Sequence, residues 1–164
     1  AERFKFLQNS IGAVPSPFDC WLILRSTKTL SQRMKAHNEN AIDIAERLTK
    51  EKKIEMVYYP GLKTHPQYEL GKKQMRGFGG IISIELGSIE AGKRFCNALK
   101  IFQIAESLGG VESLVCHPVS MTHGAVPMDI RKRIGLTDGL VRLSVGIEDK
   151  EDLMEDIENA LSGL

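Results

Sequence analysis

Arg142 is the side chain of this 164-residue sequence best suited to bind a small anion. It stands in the run Leu140-Val141-Arg142-Leu143-Ser144-Val145-Gly146-Ile147. A strand's period of two sets Val141, Leu143, Val145 and Ile147 on one face, with Arg142, Ser144 and Gly146 on the other. The small neighbours leave room for a partner to reach the guanidinium, whose planar fork of donors matches a carboxylate or a phosphate. The plain alternative is a solvent-facing strand with Arg142 in a surface ion pair, and the strand alone does not choose between the two.

Other chemically capable groups have plainer roles. Gly77-Phe78-Gly79-Gly80 has the composition of a phosphate loop, but it leads from a helix into a strand, the reverse of the phosphate-binding order. It reads as a helix cap and turn. Lys72, Lys73 and Arg76 suit the solvated last turn of a helix better than a nucleic-acid surface. His37, His65, His117 and His123 never recur at metal-ligand spacing, and Cys116 next to His117 is poorly placed to share one ion with it. Met34 and Met75 are packing residues. No serine nucleophile elbow is present.

The elements that would carry these groups follow from capping and periodicity. Phe4, Leu7, Gln8 and Ile11 mark an opening helix ended by Gly12. That helix has hardly any start, so either a short leader precedes Ala1 or the chain is the later part of something longer. Ser16-Pro17-Phe18-Asp19 is a helix start, with Phe18, Trp21, Leu22 and Leu24 as its apolar stripe. Leu30, Met34, Ala41, Ile44 and Leu48 give a further helix through about residue 52. Strands are expected at 54–59, 80–86, 112–116 and 139–147, and helices at 65–76, 89–99 and 127–134. Asp149 caps a last helix whose Leu153, Ile157 and Leu161 face inward. Helices first, then strands alternating with helices, suggest an α/β sandwich of one small sheet under one helical layer.

Composition narrows the function class. The 22 basic and 21 acidic residues nearly cancel, which removes any electrostatic case for nucleic acid. No apolar run approaches the ~20 residues that span a bilayer, and the amphipathic start AERFKFLQNS is no signal peptide. Cys20, Cys96 and Cys116 are odd in number and widely spaced, so neither a disulfide framework nor a zinc site is suggested. A reducing cytoplasm is the expected compartment.

Local features meet a family pattern between residues 105 and 149. ESLGGVES, the Met121-Thr122-His123 triplet and GLVRLSVGIED resemble the C-terminal domain of the cystathionine γ-synthase and cystathionine γ-lyase family, pyridoxal-phosphate enzymes of cysteine and methionine metabolism. The resemblance continues through QNSIGAVPSPFD, Arg25 with Lys28-Thr29-Leu30, VYYPGL, HPQYELGKKQM and RGFGG, and so covers nearly the whole chain. It implies the C-terminal domain of a fold-type I enzyme: a mainly antiparallel sheet with helices on one face, preceded by long connecting helices. The implied division is residues 1–52 as connecting helices from a cofactor-binding domain and 53–164 as the substrate-side domain. By the same resemblance Arg142 holds the substrate α-carboxylate. Ser107 lies beside both cofactor and carboxylate, Glu106 bears on substrate choice, and Leu108 and Thr122 line the same pocket. Taken alone, Glu106 and Ser107 would read as a helix end before a Gly-Gly turn.

Where the chain departs from the family matters equally. The family's catalytic lysine sits in a Ser-x-Thr-Lys segment followed by Gly-His and Ser-Asp signals. Ser26-Thr27-Lys28 imitates it, but Thr29-Leu30-Ser31-Gln32 follows, and the segment aligns with the family's connecting helix. Lys28 is therefore rejected as the cofactor anchor. The aspartate, tyrosine and phosphate-binding glycines of the cofactor site also belong to the part of the family pattern upstream of this one. The expectation is one wall of an active site: part of an enzyme for elimination or replacement on sulfur amino acids, incomplete alone. It would need a lysine-bearing partner domain and pyridoxal phosphate in the whole enzyme, and would form homo-oligomers. The alternative is a non-catalytic structural or amino-acid-binding module with the same fold.

Overall fold

The computed structural model describes residues 1–164, which divide into two compact units, Ala1–Gln32 and Arg33–Leu164. In the first, α1 (Glu2–Ile11) ends at Gly12, whose φ of 73° lets its N–H turn back to the Gln8 carbonyl. Helix α2 (Pro17–Thr27) begins with a reciprocal cap. Asp19 N–H donates to the Ser16 hydroxyl at 3.2 Å, and Ser16 N–H donates to the Asp19 carboxylate at 3.3 Å. Neither helix buries a residue. Phe18 and Trp21 stack at 5.8 Å with both rings exposed, so the stripe read from the sequence lies open in this chain.

Helix α3 (Leu30–Leu48) shows its amphipathic pattern most clearly in its second half, where Ala41, Ile44, Ala45 and Leu48 are fully buried. It stops four residues before the expected end. Lys50 and Glu51 N–H groups tighten onto Arg47 and Leu48 three residues back, unwinding the last turn. These buried residues join the core of the sheet, so residues 33–52 fold within the second unit.

Then follow β1 (Met56–Tyr58), α4 (Tyr68–Gln74), β2 (Ile81–Glu85), α5 (Ile89–Ala98), β3 (Gln103–Ile104), β4 (Leu114–Cys116), α6 (Met128–Arg133), β5 (Leu140–Ser144) and α7 (Lys150–Ser162). Helix α4 is shorter than the expected 65–76. Residues 62–67 form turns instead, with His65 N–H on the Leu62 carbonyl and Tyr68 N–H on the His65 carbonyl, and Met75 is already extended. The two-residue β3 and the 3₁₀ turn at Pro118–Ser120 carry no periodic signal and were not expected from the sequence.

The five strands run in the order β1-β2-β5-β4-β3, antiparallel except for the β3–β4 pair. One face carries Ile82, Ile84, Val115, Val141 and Leu143, packed with buried residues of α3, α5 and α7 into a single core. The architecture is the two-layer sandwich with a mainly antiparallel sheet that the sequence implies. Val145 stays buried, but Ile147, expected on the same face, is exposed. The reason is local: the ladder ends at Ser144, and the chain turns at Gly146 toward Asp149, which caps α7 by accepting from Glu151 N–H at 2.8 Å.

Two side chains of α3 fix the end of β5. His37 Nδ1 donates to the Val145 carbonyl at 2.7 Å, and Asn40 Nδ2 donates to the carbonyls of Gly146 at 3.2 Å and Glu148 at 2.9 Å. With α3 locked on one side, the opposite side of β5 becomes a fixed platform.

Candidate functional site

That platform is a cross-strand row. Register pairs Tyr58 with Ser83, Ser83 with Arg142, and Arg142 with Cys116, so all four stand on the sheet face away from the helices. Ile81, Ser144 and Leu114 form the next row. Arg142 thus sits on the central strand with a serine on one side and a thiol on the other.

The space beside Arg142 is taken by the chain itself. Between β3 and β4 the segment 105–113 folds back over β5. There the Ser107 carbonyl accepts from Arg142 Nη2 at 2.9 Å, and Gly109 N–H donates to the Ser144 hydroxyl at 2.9 Å. Gly109 has a φ of 78°, a left-handed conformation that side chains resist. The Ser107 turn and Arg142 are therefore one assembly, joined from residues 35 apart in sequence. The guanidinium keeps unused capacity: its Nε is buried and has no hydrogen-bond partner.

Charge at this spot is legible from Cys116. Burial pushes its thiol up from the usual value, the Arg142 guanidinium pulls it down, and Glu106 pushes it up again. Arg142 is the cross-strand neighbour of Cys116, and the charge of Glu106 is felt at the same sulfur. Of the residues singled out from the sequence, Arg142 and Ser107 are in contact, and Leu108 rides exposed on the same turn. Thr122 lies past the 3₁₀ turn, its hydroxyl paired with Nδ1 of its neighbour His123 at 2.7 Å.

Sequence reading missed several residues that shape this region. His117, 2% exposed, pairs through Nδ1 with the Ser120 hydroxyl and through Nε2 with the Asp138 carbonyl, each at 2.8 Å. The carbonyl can only accept, so Nε2 carries a proton. Glu148 accepts from Ser113 N–H at 2.7 Å and from its hydroxyl at 2.8 Å. Arg131 leaves buried Nε and Nη1 without hydrogen bonds, the Asp138 carboxylate lying 3.6 Å away. The only available signal was the residue type; the Asp138 partner of His117 and the Ser113 partner of Glu148 are remote in sequence.

The chain's own residues do not fit a pyridoxal-phosphate cradle. In the Gly77-Gly80 segment, Gly79 N–H already donates to Asn38 Oδ1 at 2.6 Å, and the Gly79 carbonyl accepts from the Tyr59 hydroxyl at 2.9 Å. A Cβ at Gly80 would stand 2.9 Å from the Val145 carbonyl oxygen, so that backbone is packed against the end of β5 rather than open to a phosphate. Lys28 is the C-cap of α2. No three His, Cys, Asp or Glu side chains gather as a metal site. A cavity of about 670 Å³ opens between α3 and the turns around Gly61 and Gly77; Asn38, Tyr59, Gly77 and Phe78 line it, and Glu106, Ser107, Leu108, Thr122 and Arg142 do not.

Comparison with known proteins agrees with this architecture. The model of the Cys/Met metabolism PLP-dependent enzyme family matches residues 1–162. A cystathionine gamma-lyase of Dictyostelium discoideum is 55% identical over 160 residues, which is 97% of this chain and 41% of that protein. A cystathionine beta-lyase of Coxiella burnetii is 52% identical over 162 residues, 98% of this chain and 42% of that protein. The crystal structure of cystathionine gamma synthase from Xanthomonas oryzae pv. oryzae in complex with aminoacrylate and cysteine superposes with a TM-score of 0.88 at 48% identity, covering 94% of this chain and 40% of that one. The chain thus spans about two fifths of the length of the curated relatives it matches.

Proposed function

Because the chain belongs to the Cys/Met metabolism PLP-dependent enzyme family, we propose that it forms the substrate-side part of an enzyme performing elimination or replacement on cystathionine or related sulfur amino acids. The observation that carries this reading is Arg142: a guanidinium at mid-sheet, steadied by the Ser107 carbonyl through Nη2, with a buried donor still unpaired. Such a group binds the α-carboxylate common to all these substrates and fixes the amino acid's orientation. Ser107, Leu108 and Glu106 sit on one turn beside it, and the family resemblance assigns Thr122 to the same pocket. Glu106 sets a negative charge near the side chain of the bound amino acid and so bears on substrate choice.

The cofactor and its anchoring lysine belong to the remaining three fifths of the relatives' length, supplied by a lysine-bearing domain. This chain's residues bind and orient; proton transfer is left to that lysine. In this reading residues 1–52 are the connecting helices that lead toward that domain, the second half of α3 also packing into the core of the sheet, and residues 53–164 form the substrate side. The exposed apolar side chains of α1 and α2 suit burial in a homo-oligomer, and a reducing cytoplasm suits three free cysteines.

Arg142→Lys, made in a protein extended to the length of its relatives, tests the carboxylate assignment. Lysine keeps the charge but loses the fork. A charge-assisted contact worth about 1.5–3 kcal/mol predicts a loss of about ten- to a hundredfold in kcat/KM for L-cystathionine, with folding intact by circular dichroism. Unchanged kinetics, or an unfolded protein, would make Arg142 a structural strand residue and overturn the carboxylate assignment; no turnover by the extended parent protein would favour the non-catalytic alternative.

A further inference from the structure

We propose that Ser144 is a positioning residue that sets the Arg142 guanidinium for the substrate carboxylate by holding the turn that carries Ser107. The proposal rests on the carboxylate role assigned to Arg142 above. Ser144 is 2% exposed, so its hydroxyl is closed off from any ligand. It lies two residues beyond Arg142 on the same sheet face, and it accepts from Gly109 N–H.

The contact is one rung of a lacing between two segments. Arg142 holds Ser107, Ser144 holds Gly109, and Ile147 N–H reaches the Val111 carbonyl at 2.9 Å. At the far end Gly146 N–H donates to the Ser113 hydroxyl at 2.8 Å, and Glu148 grips Ser113 through both carboxylate oxygens. Gly146 must be glycine, because a Cβ there would run into Glu148, the Val111 carbonyl and Ser113. Between the clamp at Ser113 and the tip at Ser107 stand Gly109 and Gly110, two residues with no side chain to brace the turn. Ser144 is the only side chain tying that glycine pair to the sheet. Without it the tip pivots, the Ser107 carbonyl leaves Nη2, and the guanidinium loses the partner that selects its rotamer.

A structural role and a positioning role separate by chemistry. In the protein extended to the length of its relatives, L-norleucine and n-pentylamine serve as competitive inhibitors of L-cystathionine turnover. They differ only in the carboxylate. Ser144→Ala should weaken L-norleucine inhibition about three- to tenfold, the loss of one neutral hydrogen bond, and leave n-pentylamine within about twofold. KM for L-cystathionine should rise with it while kcat stays within about twofold. In an Arg142→Ala background the same substitution should change neither inhibitor, because the two residues act as one unit. In the present chain alone, Ser144→Ala should speed amide exchange at Gly109 about tenfold.

Equal loss of both inhibitors, or no loss of either, overturns the proposal. If Ser144→Ala does not fold, Glu148→Gln takes its place, expected to weaken L-norleucine alone by about two- to threefold; no selective change there overturns the proposal as well. An Arg142→Ala protein that still prefers L-norleucine to n-pentylamine would defeat the carboxylate reading itself, and this inference with it.

Discussion

Replacing Asp156 should damage the fold more than any other single carboxylate change, and the amount can be worked out from its contacts. Asp156 is 6% exposed on the inner face of α7. Its Oδ1 accepts from Lys100 N–H at 2.8 Å, and its Oδ2 accepts from Ile101 and Phe102 N–H at 2.8 and 3.2 Å. Those amides lie between α5 and β3, and no helix or strand ladder satisfies them. Truncation to alanine abandons three donors. Lys100 is exposed and water can take over there, Ile101 is half-buried, and Phe102 is buried. At about 1–3 kcal/mol for each donor left dry, one full and one partial penalty give a loss of about 3 kcal/mol. Asp156→Asn keeps one acceptor oxygen. Turned toward Ile101 and Phe102, it serves both and faces its amide N–H at Lys100, so about 1.5 kcal/mol is expected. For a chain of this size the alanine variant should melt about 9 °C lower, read by calorimetry or near-ultraviolet circular dichroism. The consequence reaches the site, because β3 leads straight into the turn bearing Ser107. An alanine variant costing under about 1 kcal/mol, or an asparagine variant as damaging as alanine, would refute this account of the loop.

Two further outcomes are expected. Burial raises the Cys96 thiol from 9.0 to about 12 and the Tyr59 hydroxyl from 10.0 to about 12. Both groups hold their protons longer when folded, so the stability they contribute is complete below about pH 9 and is lost as pH climbs toward 12. Urea unfolding across that range should show it, and Cys96→Ala should flatten the first part of the decline; stability rising with pH there would contradict the burial. Cys20 is exposed while Cys96 and Cys116 are buried, so a disulfide reagent at pH 8 should label one thiol quickly in the native chain and three in denaturant. Fast native labelling of a second thiol, or loss of none in Cys20→Ser, would count against the packing.

The legible parts of this molecule were those with a local cause. Ser16 with Pro17 and Asp19 announced α2, Gly12 ended α1, and the alternation around Arg142 gave β5 with its two faces. Ends were read too long wherever a turn competes with the element, as at residues 49–52 after α3 and residues 65–67 before α4. The strand β3 escaped because two exposed residues have no period to detect. At the site, the sheet face that carries Arg142 followed from spacing, and the family resemblance implied a place for Ser107 near the substrate carboxylate without giving its contact with Arg142. What fills the space beside Arg142 followed from neither, nor did the roles of Asp156, Glu148, Ser113 and His117. Each of these acts on a partner 21 to 56 residues away, a distance at which helical and strand periodicity carries no information.

The strand order has a consequence for how the molecule comes into being. β5 is the last strand in sequence and the central one in space, with β2 on one flank and β4 on the other. As the polypeptide leaves the ribosome, β1 and β2 can pair, and β3 and β4 can pair, but the two halves have no common edge until residues 140–144 emerge. Until then β2 and β4 each present an unpaired edge, the condition under which nascent chains pair wrongly or recruit chaperones. Closure of the sheet and arrival of Arg142 are the same event, so a partly synthesised chain holds neither a finished core nor the group that would recognise a substrate.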